Sequence, residues 1–268
     1  MAAEADDPVV TSMLRKTAGA GIDPRDGEPM DVWTRLWSAI GKRATLLDLY
    51  ALVALRSGCR PRALRLDQRR ALAVRCWEVT FPGFEMTGTE PASAQPIELD
   101  PYDPAWPERF ATWRRRLVDA LGATAVSVDH VGSTSVPGLP AKPVVDIQVS
   151  VADLADEGAY VALIESTGVE LRSRDDEHRF FRPPPDRPRD AHVHVVPVGS
   201  VWEREHLLFR DYLRAHADAR EAYARAKAEA ARMWRDDRAA YTEAKSDVIL
   251  DILDRAEQWA AATGWSVR

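Results

Sequence analysis

Between Val128 and Val149 the chain reads VDHVGSTSVPGLPAKPVVDIQV, and its residue types suit a polyphosphate and a metal ion. Gly132 and Ser133 follow a short apolar stretch, and Asp146 stands thirteen residues beyond the serine inside a second one. A glycine lets backbone N–H groups come close to phosphate oxygens. Ser133, Thr134 and Ser135 extend that candidate loop with hydroxyls. A carboxylate held on a strand is a hard oxygen ligand for Mg²⁺ or Mn²⁺, the ions that accompany nucleoside triphosphates. Gln148 lies two residues after Asp146, so the two share one side of a strand, and Gln148 offers a neutral oxygen to the same ion. An ordinary strand with one polar residue at its solvent end is the plainer alternative.

His192 and His194 repeat this period-two spacing in AHVHVVPV. Two imidazoles on one face can reach one metal ion, which would favour a softer cation than Mg²⁺, or they can contact phosphate; exposed or structural histidines are the alternative. Should their strand neighbour that of Asp146, they stand where a further metal carboxylate would be expected. His130, two residues before Gly132, could orient the loop, act as a base or simply sit in the core. Lys142 and Arg179 carry the charge appropriate to a triphosphate. Arg210 lies in a helix beside Asp211 and Arg214, where a surface ion network is the alternative. Lys245 is one of only two lysines after Lys142 in an arginine-dominated chain. All six histidines lie at or beyond residue 130, so the chemistry belongs to the second part of the chain.

The elements that must position these residues alternate. Residues 106–121 form an amphipathic helix with Trp106, Phe110, Trp113 and Leu117 on one face. Residues 124–130, 143–151, 178–182 and 191–198 read as strands and 152–167 as a helix, an α/β pattern. From Val201 onward three helices are predicted, broken near His216 and Arg235. Upstream, Val32, Trp33, Leu36, Trp37 and Ile40 fall on one helical face, Leu46, Leu49, Tyr50 and Val53 on another, and Asp67 is a candidate N-cap for a third helix. Residues 80–96 collect Gly, Pro, Ser and Thr, which places a linker and a boundary there. The expected organisation is a loose arm over 1–30, a small all-α domain over 31–95 and an α/β domain over 96–268.

The bulk numbers set limits. A net charge of −6 gives no general attraction to nucleic acid. The nine basic residues between Lys42 and Arg75, against two acidic, read as a solvated helix face rather than an anionic-partner site. Cys59 and Cys76 are too few for a disulfide framework, and neither a signal peptide nor a membrane span is visible, so a cytoplasmic protein is expected.

Five separated motifs occur in order: PYDPAWPERF (101–110), DHVGSTSVPGLPAKPVVDIQVSV (129–151), HVHVVPVGS (192–200), LLFRDYLRAH (207–216) and YTEAKSDVI (241–249). Together they resemble the GrpB family, over about residues 97–260. The resemblance implies a nucleotidyltransferase-like mixed sheet with a C-terminal helical bundle. It also implies Gly132 and Ser133 as the phosphate motif, Asp146 as the first metal carboxylate, and His130, Lys142, Arg179, His192, His194, Arg210, Tyr212 and Lys245 as pocket positions. Gln148 replaces the second acid of the wider superfamily, which weakens the case for two-metal catalysis. The resulting expectation is ATP- or NTP-dependent nucleotidyl transfer to a small molecule, or its adenylation and ligation, with a divalent ion. A catalytically idle nucleotide-binding module and a metal-dependent hydrolase using Asp146, His192 and His194 are the alternatives.

Overall fold

The computed structural model describes residues 7–80, 85–86 and 96–267. Its helices are α1 (Pro8–Gly19), α2 (Pro29–Ile40), α3 (Leu46–Ser57), α4 (Leu66–Thr80), α5 (Trp106–Leu121), α6 (Val161–Glu165), α7 (Val201–Ala215), α8 (Ala217–Met233), α9 (Arg238–Glu243) and α10 (Ser246–Thr263). Its strands are β1 (Glu85–Met86), β2 (Ala125–Val131), β3 (Val145–Val151), β4 (Glu170–Arg174), β5 (Arg179–Arg182) and β6 (Ala191–Pro197). The chain divides into two compact units, Met1–Pro82 with Ala226–Leu250, and Gly83–Arg225 with Asp251–Arg268. Among the described residues no helix is long and apolar enough to cross a membrane.

The first unit is helical. Its described residues begin where a loose arm is expected, yet Pro8–Gly19 is a helix: Asp7 caps it by accepting from Val9 N, and Val10, Met13 and Thr17 form a buried stripe. The charged sequence before the helix and the Gly- and Pro-containing sequence after it mask that stripe. α3 is the centre of the unit, opened by a reciprocal capping box between Thr45 and Asp48, with Leu49, Tyr50, Ala51 and Leu52 fully buried. Asp67 lies inside the first turn of α4 rather than at its cap. The unit also takes in Ala226–Leu250, which the sequence pattern places with the α/β domain. The reason is visible at Trp234, 2% exposed, whose ring meets Tyr50 at 6.2 Å and lies under the Arg69 guanidinium at 5.5 Å. Arg69 in turn pairs with Asp237 at 2.7 Å. Burying one such aromatic contributes roughly 1.5–3 kcal/mol or more.

The second unit is a mixed α/β architecture, as the alternation of elements predicts. Its sheet runs β1-β4-β5-β6-β3-β2, and every pair is antiparallel except β3–β6. Alternation then sorts the side chains. One face presents Val145, Ile147, Val149 and Val151 of β3 with Val193, Val195 and Phe181, packed with Trp106, Trp113 and Leu117 of α5 and with Tyr160 and Ile164. The opposite face presents Asp146, Gln148 and Ser150, and α7 is fixed to it through Glu203. That carboxylate, 1% exposed, accepts from Ser150 Oγ and from Gly199 N at 2.6 Å.

Residues 152–167 hold only a short 3₁₀ turn and the five residues of α6 instead of one long helix. β4 is absent from the sequence-based expectation, because Glu170, Arg172 and Arg174 mask its alternation. The last part of the chain forms four helices, since Ala244 and Lys245 add a break between α9 and α10.

Candidate functional site

In β3 and β6, Asp146 is in register with His192 and Gln148 with His194, so all four occupy one face. His192 Nδ1 lies 3.0 Å and His194 Nε2 3.6 Å from Asp146 Oδ1. One ligand atom from each of the three residues falls within 4.8 Å of the others. Burial pushes the Asp146 carboxyl up, but the hydrogen bond with His192 and the attraction of the nearby His192 and His194 rings outweigh it and hold it well below the usual range. Burial lowers His192 despite the opposing pull of Asp146. Gln148 is fully buried and neither of its amide atoms has a hydrogen-bond partner.

The Gly132 turn sits directly against this carboxylate. Gly132 adopts φ +67°, ψ −173°, backbone that only glycine enters readily. A Cβ there would overlap Asp146 Oδ2 and lie 2.9 Å from its Cγ. Ser133–Ser135 form one 3₁₀ turn. Within it Ser135 Oγ donates to Gly132 O at 2.6 Å, and the Thr134 hydroxyl meets His130 Nε2 at 3.0 Å. Those two hydroxyls therefore shape the turn. Ser133 is hydrogen-bonded to the phenol of Tyr223, whose burial raises its ionisation to about 12. Sequence reasoning missed Tyr223, which stands on α8 outside every motif; only its apolar neighbours at helical spacing could have marked it as inward-facing.

His130 pairs with Ile147 in the ladder and so points to the core face, stacked on Phe110 at 4.6 Å. Burial lowers it to about 4, which keeps it neutral. It ties β2 and α5 to the loop. Arg179 also belongs to the core face, in register with Val195, where its Nε donates to Glu157 Oε1 at 2.5 Å. Arg179 is expected among the nucleotide-binding residues, and the structure places it on the face opposite Asp146, because the β5 residue in register with His194 is Phe180, which spacing alone does not reveal.

Arg210 donates to His130 O at 3.1 Å and to Asp211 at 2.7 Å, and Arg214 donates to Ser135 O at 2.8 Å. Arg210 thus holds the end of β2 and Arg214 the loop itself, each by a carbonyl. Lys142 lies four residues before Asp146, between the Asp100–Ala141 bridge and β3. Tyr212 stacks on His216 at 4.0 Å. Lys245 belongs to the helical unit, where its ammonium lies 4.1 Å over the Tyr241 ring.

A ring cluster flanks the carboxylate. His178 Nε2 approaches His194 Nδ1 at 2.9 Å, and its ring stacks on Trp202, which stacks in turn on His206. Burial, reinforced by His194 and His206, lowers His178 to about 2. On the other flank Arg189 Nε donates to His192 Nε2 at 3.3 Å.

The model of the family described as GrpB protein matches residues 96–255. A UPF0157 protein of Streptomyces coelicolor is 49% identical over 160 residues, which is 60% of this chain and 84% of that protein. A protein named dephospho-CoA kinase from Mycobacterium tuberculosis is 35% identical over 196 residues, 63% of this chain but only 48% of the kinase. The crystal structure of a conserved protein GrpB from Enterococcus faecalis superposes with a TM-score of 0.54 at 30% identity, over 60% of this chain and 99% of that one. The Gly132 turn, Asp146 and the histidine pair all lie within the residues that the family model matches, and that match over more than half of its length shows that the chain belongs to the GrpB family.

Proposed function

We propose that this chain is a divalent-metal-dependent enzyme that uses ATP or another nucleoside triphosphate to nucleotidylate a small molecule, or to activate it as an adenylate for ligation. The observation that carries the reading is the contact between Gly132 and Asp146, which seats the glycine that opens the turn against a partly buried carboxylate. Phosphate oxygens bound at the turn and an ion bound at the carboxylate would then share one small space.

The donor set fits a divalent cation: one carboxylate, imidazole nitrogens within 4.8 Å, and the unsatisfied amide of Gln148 on the same face. When bound, such an ion would align the triphosphate and offset charge on departing pyrophosphate. The chain's own part is positional. Asp146 stays ionised and is held by its hydrogen bond with His192. Arg210 and Arg214 hold the carbonyls of His130 and Ser135 on either side of Gly132, so the turn faces its ligand in one conformation. The acceptor's oxygen, from a carboxylate or from a hydroxyl that gives its proton to solvent, forms the new bond to the α-phosphorus as the bond to the bridging oxygen breaks, releasing pyrophosphate.

Binding of ATP to the full chain by isothermal titration, with Mn²⁺ or Mg²⁺ and with EDTA, tests this. Divalent-dependent binding is expected, with pyrophosphate release once an acceptor is supplied. Absence of ATP binding under all three conditions contradicts the reading. The compact Asp146, His192, His194 cluster also favours a second reading, a metal-dependent hydrolase. That activity would appear as metal binding and ester hydrolysis without nucleotide.

A further inference from the structure

The two histidines beside Asp146 differ in what touches their far nitrogens, and this separates their roles. We infer that His194 is the imidazole that binds the cation, whereas His192 is a positioning residue that keeps a proton on Nδ1 and holds Asp146 by donating it. The inference rests on the divalent-ion reading above.

An arginine guanidinium has donors and no acceptor. Arg189 Nε–H pointing at His192 Nε2 across 3.3 Å therefore requires that nitrogen to be the lone-pair side. A neutral ring carries one proton, so it lies on Nδ1, 3.0 Å from Asp146 Oδ1, where it is donated. For His192 to ligate through Nδ1 the proton would have to move to Nε2, face to face with the Arg189 N–H. That arrangement places two donors against each other and costs the hydrogen bond.

His194 is under no such constraint. Its Nδ1 faces His178 Nε2 at 2.9 Å, and an imidazole nitrogen can serve as donor or acceptor. One proton lies between these two rings. With it on His194 Nδ1, the Nε2 lone pair is free on the side of Asp146, 3.6 Å away. His178 is suited to accept it, because its ring is stacked on Trp202 at 5.2 Å and 10° and keeps its orientation. Metal-bound histidines commonly donate the other ring N–H to such a partner. The chain would then contribute one carboxylate oxygen and one imidazole, with the unsatisfied Gln148 amide on the same face, and phosphate oxygens of the nucleotide would complete the set.

The test uses the full chain with ¹⁵N-labelled histidine and long-range ¹H–¹⁵N spectra, before and after addition of Zn²⁺ as a diamagnetic probe. The expected result is His192 protonated at Nδ1 throughout, and His194 protonated at Nδ1 with its Nε2 signal moved to the metal-bound range. Titration of the variants gives a second readout. Zn²⁺ affinity should fall by more than about 100-fold in His194→Ala and by roughly 10–100-fold in His178→Phe, which keeps a ring but no acceptor. His192→Asn, which retains an N–H donor for Asp146, should bind within about 10-fold of the parent. A metal-bound signal at His192, or loss of binding in His192→Asn matching that in His194→Ala, overturns the inference while leaving the metal reading intact. No Zn²⁺ binding by the parent chain overturns both.

Discussion

Replacing Gly132 by alanine probes the contact on which the site is built, and the structure supplies its own control. At φ +67°, ψ −173°, a residue with a Cβ incurs backbone strain of about 1–3 kcal/mol. The added methyl would also overlap Asp146 Oδ2 and lie 2.9 Å and 3.0 Å from Cγ and Cβ, atoms of a short side chain on a central strand that cannot swing away. Overpacking of this kind costs roughly 1–3 kcal/mol, so Gly132→Ala should lose about 2–6 kcal/mol or push the turn off Asp146. Gly138 has φ +79°, and a methyl added there would meet nothing within 4 Å, so Gly138→Ala should show backbone strain alone, about 1–2 kcal/mol. Urea denaturation of both variants, with Mn²⁺ titration beside it, separates the two costs. Equal stability and equal Mn²⁺ affinity in the two variants would refute the claim that the turn and the carboxylate are in obligatory contact.

Three further outcomes follow from the geometry. His130 is lowered from the ordinary 6.5 to about 4, so the unfolded chain binds its proton first; stability is full above pH 6.5 and is lost as pH falls toward 4, by about 3 kcal/mol, and His130→Gln should lack that part of the decline in paired urea melts at pH 7 and 4. Arg179→Gln should leave ATP affinity unchanged while lowering Tm, because its guanidinium serves Glu157 on the core face; a loss of ATP binding at unchanged Tm would contradict that placement. Trp234→Ala should cost roughly 3–5 kcal/mol, and a chain begun at residue 96 should self-associate, because either change strips away the contacts between Trp234 and Tyr50 and Arg69; a monomeric, cooperatively folded truncation would show that Ala226–Leu250 does not need the N-terminal helices.

Much of the site is legible in the sequence because period-two alternation is a local property. Asp146 with Gln148, and His192 with His194, share a face by spacing alone; the pairing of β3 with β6 enters only as a condition, yet it brings the two sets together. What alternation cannot give is which face a strand turns to the core. That is set by partner strands, and it sends His130 and Arg179 to the side opposite Asp146. Contacts from distant helices are also hidden: Tyr223 of α8 reaches Ser133, and Glu203 of α7 reaches Ser150, far along the chain in both cases. α1 escapes notice because its buried stripe of Val10, Met13 and Thr17 is short and is flanked by acidic sequence before it and by Gly- and Pro-containing sequence after it, whereas α2, α3 and α5 carry tryptophans or a run of leucines at helical spacing. Ala226–Leu250 follows the α/β elements in sequence, while its packing is decided by Trp234.

The most direct test of the central claim is to locate a bound cation. In crystals of the full chain grown with Mn²⁺ and a non-hydrolysable ATP analogue, the anomalous signal of manganese should lie about 2.2 Å from an Asp146 carboxylate oxygen and a similar distance from an imidazole nitrogen of the adjacent pair, with the triphosphate at the Gly132 turn. Manganese and nucleotide bound away from Asp146, or a triphosphate seated on the helical unit alone, would contradict it.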